Sequence, residues 1–145
     1  MNTPQLPSDH LRLCLRNTAS KRGRAAENLS IWFLKNHRFK ILDRNFNSRT
    51  GEVDIVACNR QGPFLSIHFI EVKAHFAPNR LPPQSAVTRS KQCKIVSAAN
   101  YWILKHRYIK AVYRFDIVAI LKSGHHIPRV RFFPNAFTPK QDFGW

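Results

Sequence analysis

The apolar positions of the chain follow helical spacing in two segments. In residues 20–36 they recur at i, i+4, i+7 and i+8, the spacing of one buried helical face, at Ala25, Leu29, Trp32 and Phe33. Ile31 and Leu34 lie on another side, so we expect this helix to be covered on two sides. A second helix is predicted to begin near Thr88 or Ser90 as N-cap. Its predicted buried positions are Ile95, Ala98, Ala99, Trp102 and Ile103.

Short apolar runs rich in β-branched and aromatic residues are typical of strands. The runs are FKILDRNF (39–46), EVDIVAC (52–58), FLSIHFIEVK (64–73), YRFDIVAIL (113–121) and IPRVRFF (127–133). The last is predicted to be an edge strand, because its proline has no backbone N–H to donate. Turns are predicted at 47–51 and 59–62, and a loop over the proline-containing segment 75–90.

The order of these elements is α-β-β-β-α-β-β, which predicts an α/β fold with a mixed β-sheet flanked by helices. We expect residues 17–136 to form a single domain. A flexible N-terminal tail (1–16) is expected before it and a C-terminal tail (137–145) after it.

The net charge indicates a polyanionic partner. With 24 Lys and Arg residues against 8 Asp and Glu residues, the formal charge is +16 at pH 7. The 43% hydrophobic content is meanwhile ordinary for a folded domain. Such an excess of positive charge favours nucleic acid first and an acidic membrane surface second. No run approaches the roughly 20 apolar residues that a membrane-spanning helix requires, so we expect no membrane span.

The N-terminal segment and the cysteines indicate a cytoplasmic protein. Prolines and charges occupy the first 24 residues, where a secretory signal would have an apolar stretch. Cys14, Cys58 and Cys93 are odd in number and lack CxxC spacing, which is typical of reduced thiols. The cysteines and the seven histidines also lack the spacing of zinc ligands.

Carboxylates are scarce in this chain, yet three of them lie in or at the end of apolar strands, at Glu52, Asp54 and Glu71. Glu71 and Lys73 are two residues apart and share a face of their strand. If the hairpin pairs Asp54 with Glu71, their Cβ atoms lie about 5 Å apart. The two carboxylates then repel unless they share a proton or a cation, and such an oxygen-rich site suits Mg²⁺ or Mn²⁺.

A second interpretation of the same residues involves no metal. Glu71 and Lys73 can form an exposed ion pair at the end of the strand, while Asp54 caps a turn. The residues alone leave both interpretations open, because an isolated ExK is common.

Several ordered motifs resemble a known family. The D-x(n)-E-x-K pattern across a hairpin resembles the PD-(D/E)XK nuclease superfamily, which has a restriction-endonuclease-like three-layer core. Within it, the chain is similar to the YraN-like family of small bacterial proteins. The resemblance rests on RGRAAENLSIWFL, ILDRNFNSRTGEVDIVA, FIEVKA, AVTRSKQCKIVSAANYW, RFDIVAI and PNAF. It implies a Mg²⁺-dependent endonuclease acting on DNA, with branched or single-stranded substrates favoured by its likeness to Holliday junction resolvases.

The resemblance also implies a set of site residues. Asp54 and Glu71 become metal ligands together with the backbone carbonyl of Val72, and Lys73 becomes the catalytic lysine. Glu27 matches an acidic residue that junction-resolving relatives place near the metal. Gln92, beside Lys91 at the start of the second helix, matches the second residue of a family KQ pair and becomes a supporting or substrate contact. The helical wheel places Lys91 and Gln92 at the N-terminal end of the buried stripe, directed towards the sheet.

The chain departs from the family pattern at two places. Ala26 replaces a glycine before the helix-1 glutamate, and Ala74-His75 stands where a basic residue commonly follows the lysine. We expect the first change to tighten helix packing and the second to weaken a phosphate contact. For Glu52 we predict the start of a strand, and for Asp116 a structural pair with a basic residue.

Alternative functions remain open from the sequence. The first alternative is a non-catalytic, basic nucleic-acid-binding protein with a degenerate nuclease fold. A membrane-surface or ribosome-associated basic protein has less support, because no basic amphipathic helix stands out. Since junction-cutting relatives work as dimers, a homodimer is also open.

Overall fold

The computed structural model describes residues 19–75, 87–107, 110–121 and 127–139. Two helices and five strands lie within these ranges. In chain order they are α1 (Ala19–Asn36), β1 (Lys40–Asn47), β2 (Glu52–Gln61), β3 (Phe64–His75), α2 (Arg89–His106), β4 (Val112–Leu121) and β5 (Arg129–Phe133). The predicted order of elements is confirmed.

The strands form one mixed sheet in the order β1-β2-β3-β4-β5. Strands β3 and β4 are parallel, and all the other neighbours are antiparallel. The parallel pair requires a crossover between its strands, and α2 provides it. Strands β3 and β4 therefore occupy the middle of the sheet, where side chains on both faces are buried.

Each face of the sheet is covered by one helix. On one face, α1 packs through Leu34 against a cluster that includes Ile55 and Ile70. On the other, α2 packs through Trp102 against a cluster that includes Phe69. The result is the predicted three-layer α/β/α arrangement with the sheet in the middle.

The buried face of α1 differs from the predicted stripe. Its buried residues are Ala26, Leu29, Ser30, Ile31 and Leu34. The predicted Ala25, Trp32 and Phe33 are only half-buried. The reason is steric: small side chains at Ala26 and Ser30 lie at the face that meets the sheet, while the bulky aromatic rings lie at its margin. The Ser30 hydroxyl is satisfied there by donating to the Ala26 carbonyl over 2.8 Å.

The prediction for α2 is close to the structure. Thr88 is the N-cap, and its hydroxyl accepts a hydrogen bond from the backbone N–H of Lys91. The buried residues are Ile95, Val96, Ala98, Ala99 and Trp102. The predicted Ile103 is half-buried and packs against the same core, while Val96 was not predicted.

A close backbone contact fixes α2 relative to the start of β2. A Cβ atom at Gly51 would lie 2.0 Å from the carbonyl oxygen of Lys94, so only glycine fits between the β1–β2 turn and the helix. Beside it, the hydroxyls of Thr50 and Ser97 are hydrogen bonded over 2.6 Å. These contacts determine which residues of α2 lie over the start of β2 and the end of β3.

The second predicted turn is shorter in the structure. The sequence predicts it at 59–62, but Asn59 pairs with Ser66 and Gln61 with Phe64 across the β2–β3 hairpin. Only residues 62–63 remain as the loop, with Gly62 at a positive φ of 59°. A two-residue loop of this kind keeps the ladder intact to its end.

Several expectations fall partly outside the described residues. The predicted N-terminal tail (1–16) lies outside them entirely, as do residues 76–86 of the predicted loop. At the other end, Phe137 contacts Phe115, with ring centroids 5.3 Å apart. The division into a domain and two tails stays a prediction. No helix within the described ranges is long and apolar enough to cross a membrane.

Candidate active site

The β2–β3 hairpin brings Asp54 to β3. The last pair of the ladder is Ile55 with Ile70, and one step further along the same register lie Asp54 and Glu71. At this point the Asp54 carboxylate accepts a hydrogen bond from the backbone N–H of Val72, with Oδ2 2.7 Å from the nitrogen. The antiparallel pairing assumed from the sequence is therefore confirmed. The structure adds a direct hydrogen bond between the Asp54 side chain and the β3 main chain.

Glu71 is buried, with only 3% of its surface exposed. Its Oε1 accepts a hydrogen bond from Nζ of Lys73 over 2.8 Å. Its Oε2 lies 3.5 Å from Nζ of Lys91, an ion-pair distance without a hydrogen bond. In the part of the chain that the structure describes, this is the one buried side-chain oxygen or nitrogen that has no hydrogen-bond partner. An exposed ion pair at the strand end is excluded for Glu71.

Lys91 is directed towards the sheet beside Gln92, as the helical wheel predicts, but its contact with the carboxylates was not predicted from the sequence. It reaches the carboxylates from α2, and its Nζ donates to Oε1 of Glu52 over 2.8 Å. A signal for it was present: Lys91 precedes Ile95, Ala98 and Trp102 by 4, 7 and 11 residues, so it continues the buried stripe of the helix. A lysine on such a stripe must meet an acceptor on the sheet.

The charges of this cluster shift one another's pKa values. The hydrogen bond and charge of Lys91 lower the pKa of Glu52. For Lys91 itself, burial acts to lower the pKa, but the contacts with Glu52 and Glu71 outweigh burial and the net shift is upward. Lys91 is therefore a stable cation at neutral pH.

For Asp54, the effects that raise the pKa of the carboxyl group outweigh those that lower it. Burial and the negative charge of Glu71 raise its pKa to about 7, against the opposing effects of the Val72 N–H and the Lys91 charge. Asp54 is therefore partly protonated at neutral pH in the metal-free protein. Burial is the larger cause of the raised pKa, and the neighbouring Glu71 charge is the second.

Glu27 lies on α1 and acts on Asp54 through its charge. Its Oε2 accepts a hydrogen bond from Nδ2 of Asn45 over 3.0 Å. Asn45 occupies the position of β1 between the pairs Arg44–Ile55 and Phe46–Val53, which is the position beside Asp54. The Glu27 charge contributes to the raised pKa of Asp54.

Gln92 has a different environment. Its Nε2 donates to the carbonyl of Val87 over 3.0 Å. Its side chain also lines a pocket of about 340 Å³ with Arg89, Cys93 and Phe137 among the other lining residues. Among the described residues, Lys91 rather than Gln92 links α2 to the carboxylates.

The donor set fits a hard divalent cation with an incomplete protein shell. Mg²⁺ is usually held by one or two carboxylates, keeps several waters and takes further oxygens from phosphates. Asp54 and Glu71 supply two carboxylates, and Glu71 Oε2 is an oxygen without a hydrogen bond. Within the described ranges no group of three or more His, Cys, Asp or Glu side chains could hold a metal.

A buried hydrogen-bonded pair of polar side chains lies away from these carboxylates. Asp116 is fully buried, 2.5 Å from Nδ1 of His68 through its Oδ2. Its Oδ1 accepts the backbone N–H of Asn135 over 2.8 Å. On the other side of the imidazole, Nε2 lies 2.9 Å from the Ser66 hydroxyl. The predicted partner of Asp116 is thus His68, and the pair ties β4 to β3 and to the turn after β5.

Known proteins resemble this chain over most of its length. A model of the family described as "Uncharacterised protein family UPF0102" matches residues 26–120. A UPF0102 protein of Geobacter metallireducens is 45% identical over 115 residues, which cover 79% of this chain and 90% of the relative. A UPF0102 protein of Geotalea daltonii is 38% identical over 122 residues, 84% of this chain and 93% of the relative. The chain therefore belongs to the UPF0102 family, the YraN-like family that its motifs indicated.

Proposed function

We propose that the protein is a metal-dependent nuclease of the PD-(D/E)XK superfamily that hydrolyses DNA phosphodiester bonds. One observation carries this proposal. A buried glutamate, Glu71, stands beside the partly protonated Asp54 and the ammonium group of Lys73. Burying Glu71 next to a second carboxylate is costly, and perturbed ionisable groups of this kind are typical of functional sites.

Asp54 and Glu71 would hold Mg²⁺ or Mn²⁺, and the Val72 carbonyl is proposed as a further ligand. When bound, the ion would polarise a phosphoryl oxygen and lower the pKa of an attacking water. The hydrogen bond from the Val72 N–H holds the Asp54 carboxylate in place. Lys73, held by Glu71, provides positive charge where negative charge develops on the phosphate. Glu27 and Gln92 are proposed as supporting residues.

DNA is proposed as the substrate because of the charge of the protein. The net charge of +16 favours a phosphate backbone, and exposed basic side chains occur on the elements that carry the site. They include Arg44, Arg49, Arg89 and Lys94. Selection for branched or single-stranded DNA, a homodimer and a cytoplasmic location belong to the same proposal.

A non-catalytic nucleic-acid-binding protein is the second candidate, and one observation favours it. Lys73 and Lys91 already lie within ion-pair distance of Glu71. A site neutralised by its own lysines can be stable without a metal ion. In that case binding to DNA depends on salt but is indifferent to metal and to Asp54.

A cleavage assay on end-labelled duplex, single-stranded and four-way-junction DNA, with Mg²⁺ or Mn²⁺, tests the proposal. We expect cutting by the wild type and loss of at least about a hundredfold in Asp54→Asn, Glu71→Gln and Lys73→Ala, as for other groups that act on the transition state. Asp43→Asn is the matched control, because it removes a carboxylate on β1 that is no part of the proposed site. Equal cutting by all four variants, or none by the wild type under any condition, contradicts the proposal.

A further inference from the structure

Lys91 occupies the place of a cation among the carboxylates. Its Nζ lies 2.8 Å from Glu52 Oε1 and 3.5 Å from Glu71 Oε2. Its charge also lowers the pKa of Asp54, which places it within electrostatic reach of that carboxylate. Two acidic side chains, Glu52 on β2 and Glu71 on β3, thus share one ammonium group that comes from α2.

The backbone that carries Lys91 is held firmly. The backbone of Lys94 occupies the space that a Cβ atom at Gly51 would need, and Thr50 is hydrogen bonded to Ser97. The N-cap hydroxyl of Thr88 accepts from the N–H of Lys91 itself. Any change in what the ammonium group contacts must therefore come from the flexible side chain of Lys91 rather than from movement of α2.

The two contacts of Lys91 are unequal. The contact with Glu52 is a hydrogen bond to a largely exposed carboxylate, whose side chain is 57% accessible. The contact with Glu71 is longer and leaves the buried Oε2 without a hydrogen bond. A cation bound at Oε2 would repel the ammonium group, but the hydrogen bond to Glu52 could persist on the solvent side.

From these contacts we propose that Lys91 is the internal counter-ion of the carboxylate cluster and competes with a divalent cation for Glu71. Lys91 neutralises the buried carboxylates when no metal is bound and is retained by Glu52 when a metal enters. It is a positioning residue that weakens metal affinity and keeps the empty site stable. This inference rests on the metal site of the proposed function.

Coupling of this kind is reciprocal: if Lys91 weakens metal binding, a bound metal weakens the interaction of Lys91 with the carboxylates by the same factor. Removing the ammonium group should therefore tighten metal binding. A purely structural lysine would have another effect, since its removal would lower the thermal stability and leave metal affinity unchanged.

The test is calorimetric titration of Mn²⁺ into the full chain at low salt and pH 8.5, above the pKa of Asp54, so that protonation does not mask the effect. We expect Lys91→Met to bind Mn²⁺ about 5- to 10-fold more tightly than the wild type, the low end of ordinary coupling between sites. Lys91→Arg keeps the charge and should resemble the wild type. Lys94→Met is the matched control, because it removes an exposed charge three residues after Lys91 that also acts on Glu52. It should change the affinity by less than about twofold, because exposed charges are screened.

A double-mutant cycle isolates the contribution of Glu52. In the wild-type background, Glu52→Gln removes a negative charge and also the second partner of Lys91, so metal affinity should fall. In the Lys91→Met background only the charge effect remains, and the fall should be smaller. Equal losses in both backgrounds would overturn the role of Glu52.

The outcomes separate this inference from the proposed function. If the wild type binds Mn²⁺ and folded Lys91→Met binds it no more tightly, the counter-ion role of Lys91 is overturned. The nuclease proposal is unaffected by that result. If Lys91→Met fails to fold, Lys91→Gln serves as the second neutral variant with the same expected direction. Wild type that binds no Mn²⁺, alone or with non-cleavable DNA, overturns both proposals.

Discussion

The backbone N–H of Val72 donates a hydrogen bond to Oδ2 of Asp54 over 2.7 Å, one step beyond the last pair of the β2–β3 ladder. A side chain thus makes the cross-strand link at the position where the backbone pairing ends. Asp54 therefore has a structural role and an electrostatic role at once. Substitutions can separate these roles, because an amide keeps the acceptor and loses the charge.

Asp54→Asn should preserve the fold and abolish Mn²⁺ binding. The amide oxygen still accepts from Val72, whereas Asp54→Ala leaves that N–H without a protein partner, at a cost of about 1–3 kcal/mol. Urea denaturation at pH 8 measures both variants, with titration of Mn²⁺ alongside. Asp54→Asn that is as destabilised as Asp54→Ala would show that the charge, not the hydrogen bond, holds β2 to β3.

The pH dependence of stability should reveal the raised pKa of Asp54. Its pKa rises from 3.8 to about 7 on folding, so folding favours the protonated form. The corresponding stabilisation is complete below about pH 4 and is lost as the pH rises through about 7. The free energy of unfolding of metal-free wild type should therefore fall relative to that of Asp54→Asn between pH 4 and 8. A constant difference across this range contradicts the shift.

Gly51→Ala should destabilise the protein and disturb the site together. The added Cβ would lie 2.0 Å from the Lys94 carbonyl, so α2 must move away from the β1–β2 turn and carry Lys91 with it. Overpacking of this kind costs about 1–3 kcal/mol. Denaturation curves measure the change.

Gly23→Ala on α1 is the control for this prediction. A Cβ at Gly23 meets no atom within 4 Å, and alanine is the better helix former. It should stabilise the protein by about 0.5–1 kcal/mol. If the two alanine variants are equally stable, the close contact with Lys94 does not constrain α2.

Asp116→Ala should destabilise the protein but leave the proposed metal site unchanged. The substitution removes the acceptor of the buried His68 ring and of the backbone N–H of Asn135. Removing the hydrogen-bond partner of a buried group costs about 1–3 kcal/mol. At temperatures where the variant remains folded, Mn²⁺ affinity should match the wild type, because the pair lies outside the carboxylate cluster. Lost metal binding in folded Asp116→Ala would place the pair in the functional machinery.

Much of the fold could be predicted from the sequence because its determinants are local. The order of elements, the Thr88 cap and the placement of Glu71 and Lys73 on one face follow from periodicities of 2 and 3.6 residues and from capping chemistry. The pairing of Asp54 with β3 also followed, because a hairpin joins neighbouring strands. The buried stripe predicted for α1 was partly wrong, because periodicity shows an apolar face but not which part of that face meets the sheet.

Only the tertiary structure decided the electrostatics of the site. Whether Glu71 is buried or exposed depends on α2 covering the end of β3, and that depends on the Gly51 contact 40 residues before Lys91. Lys91 and Glu52 are 39 residues apart, yet their hydrogen bond lowers the pKa of one and helps to raise that of the other. Sequence patterns report neighbours along a helix or strand. The energies of buried charges depend on distances between elements and on the solvent they exclude, which exist only once the layers have packed.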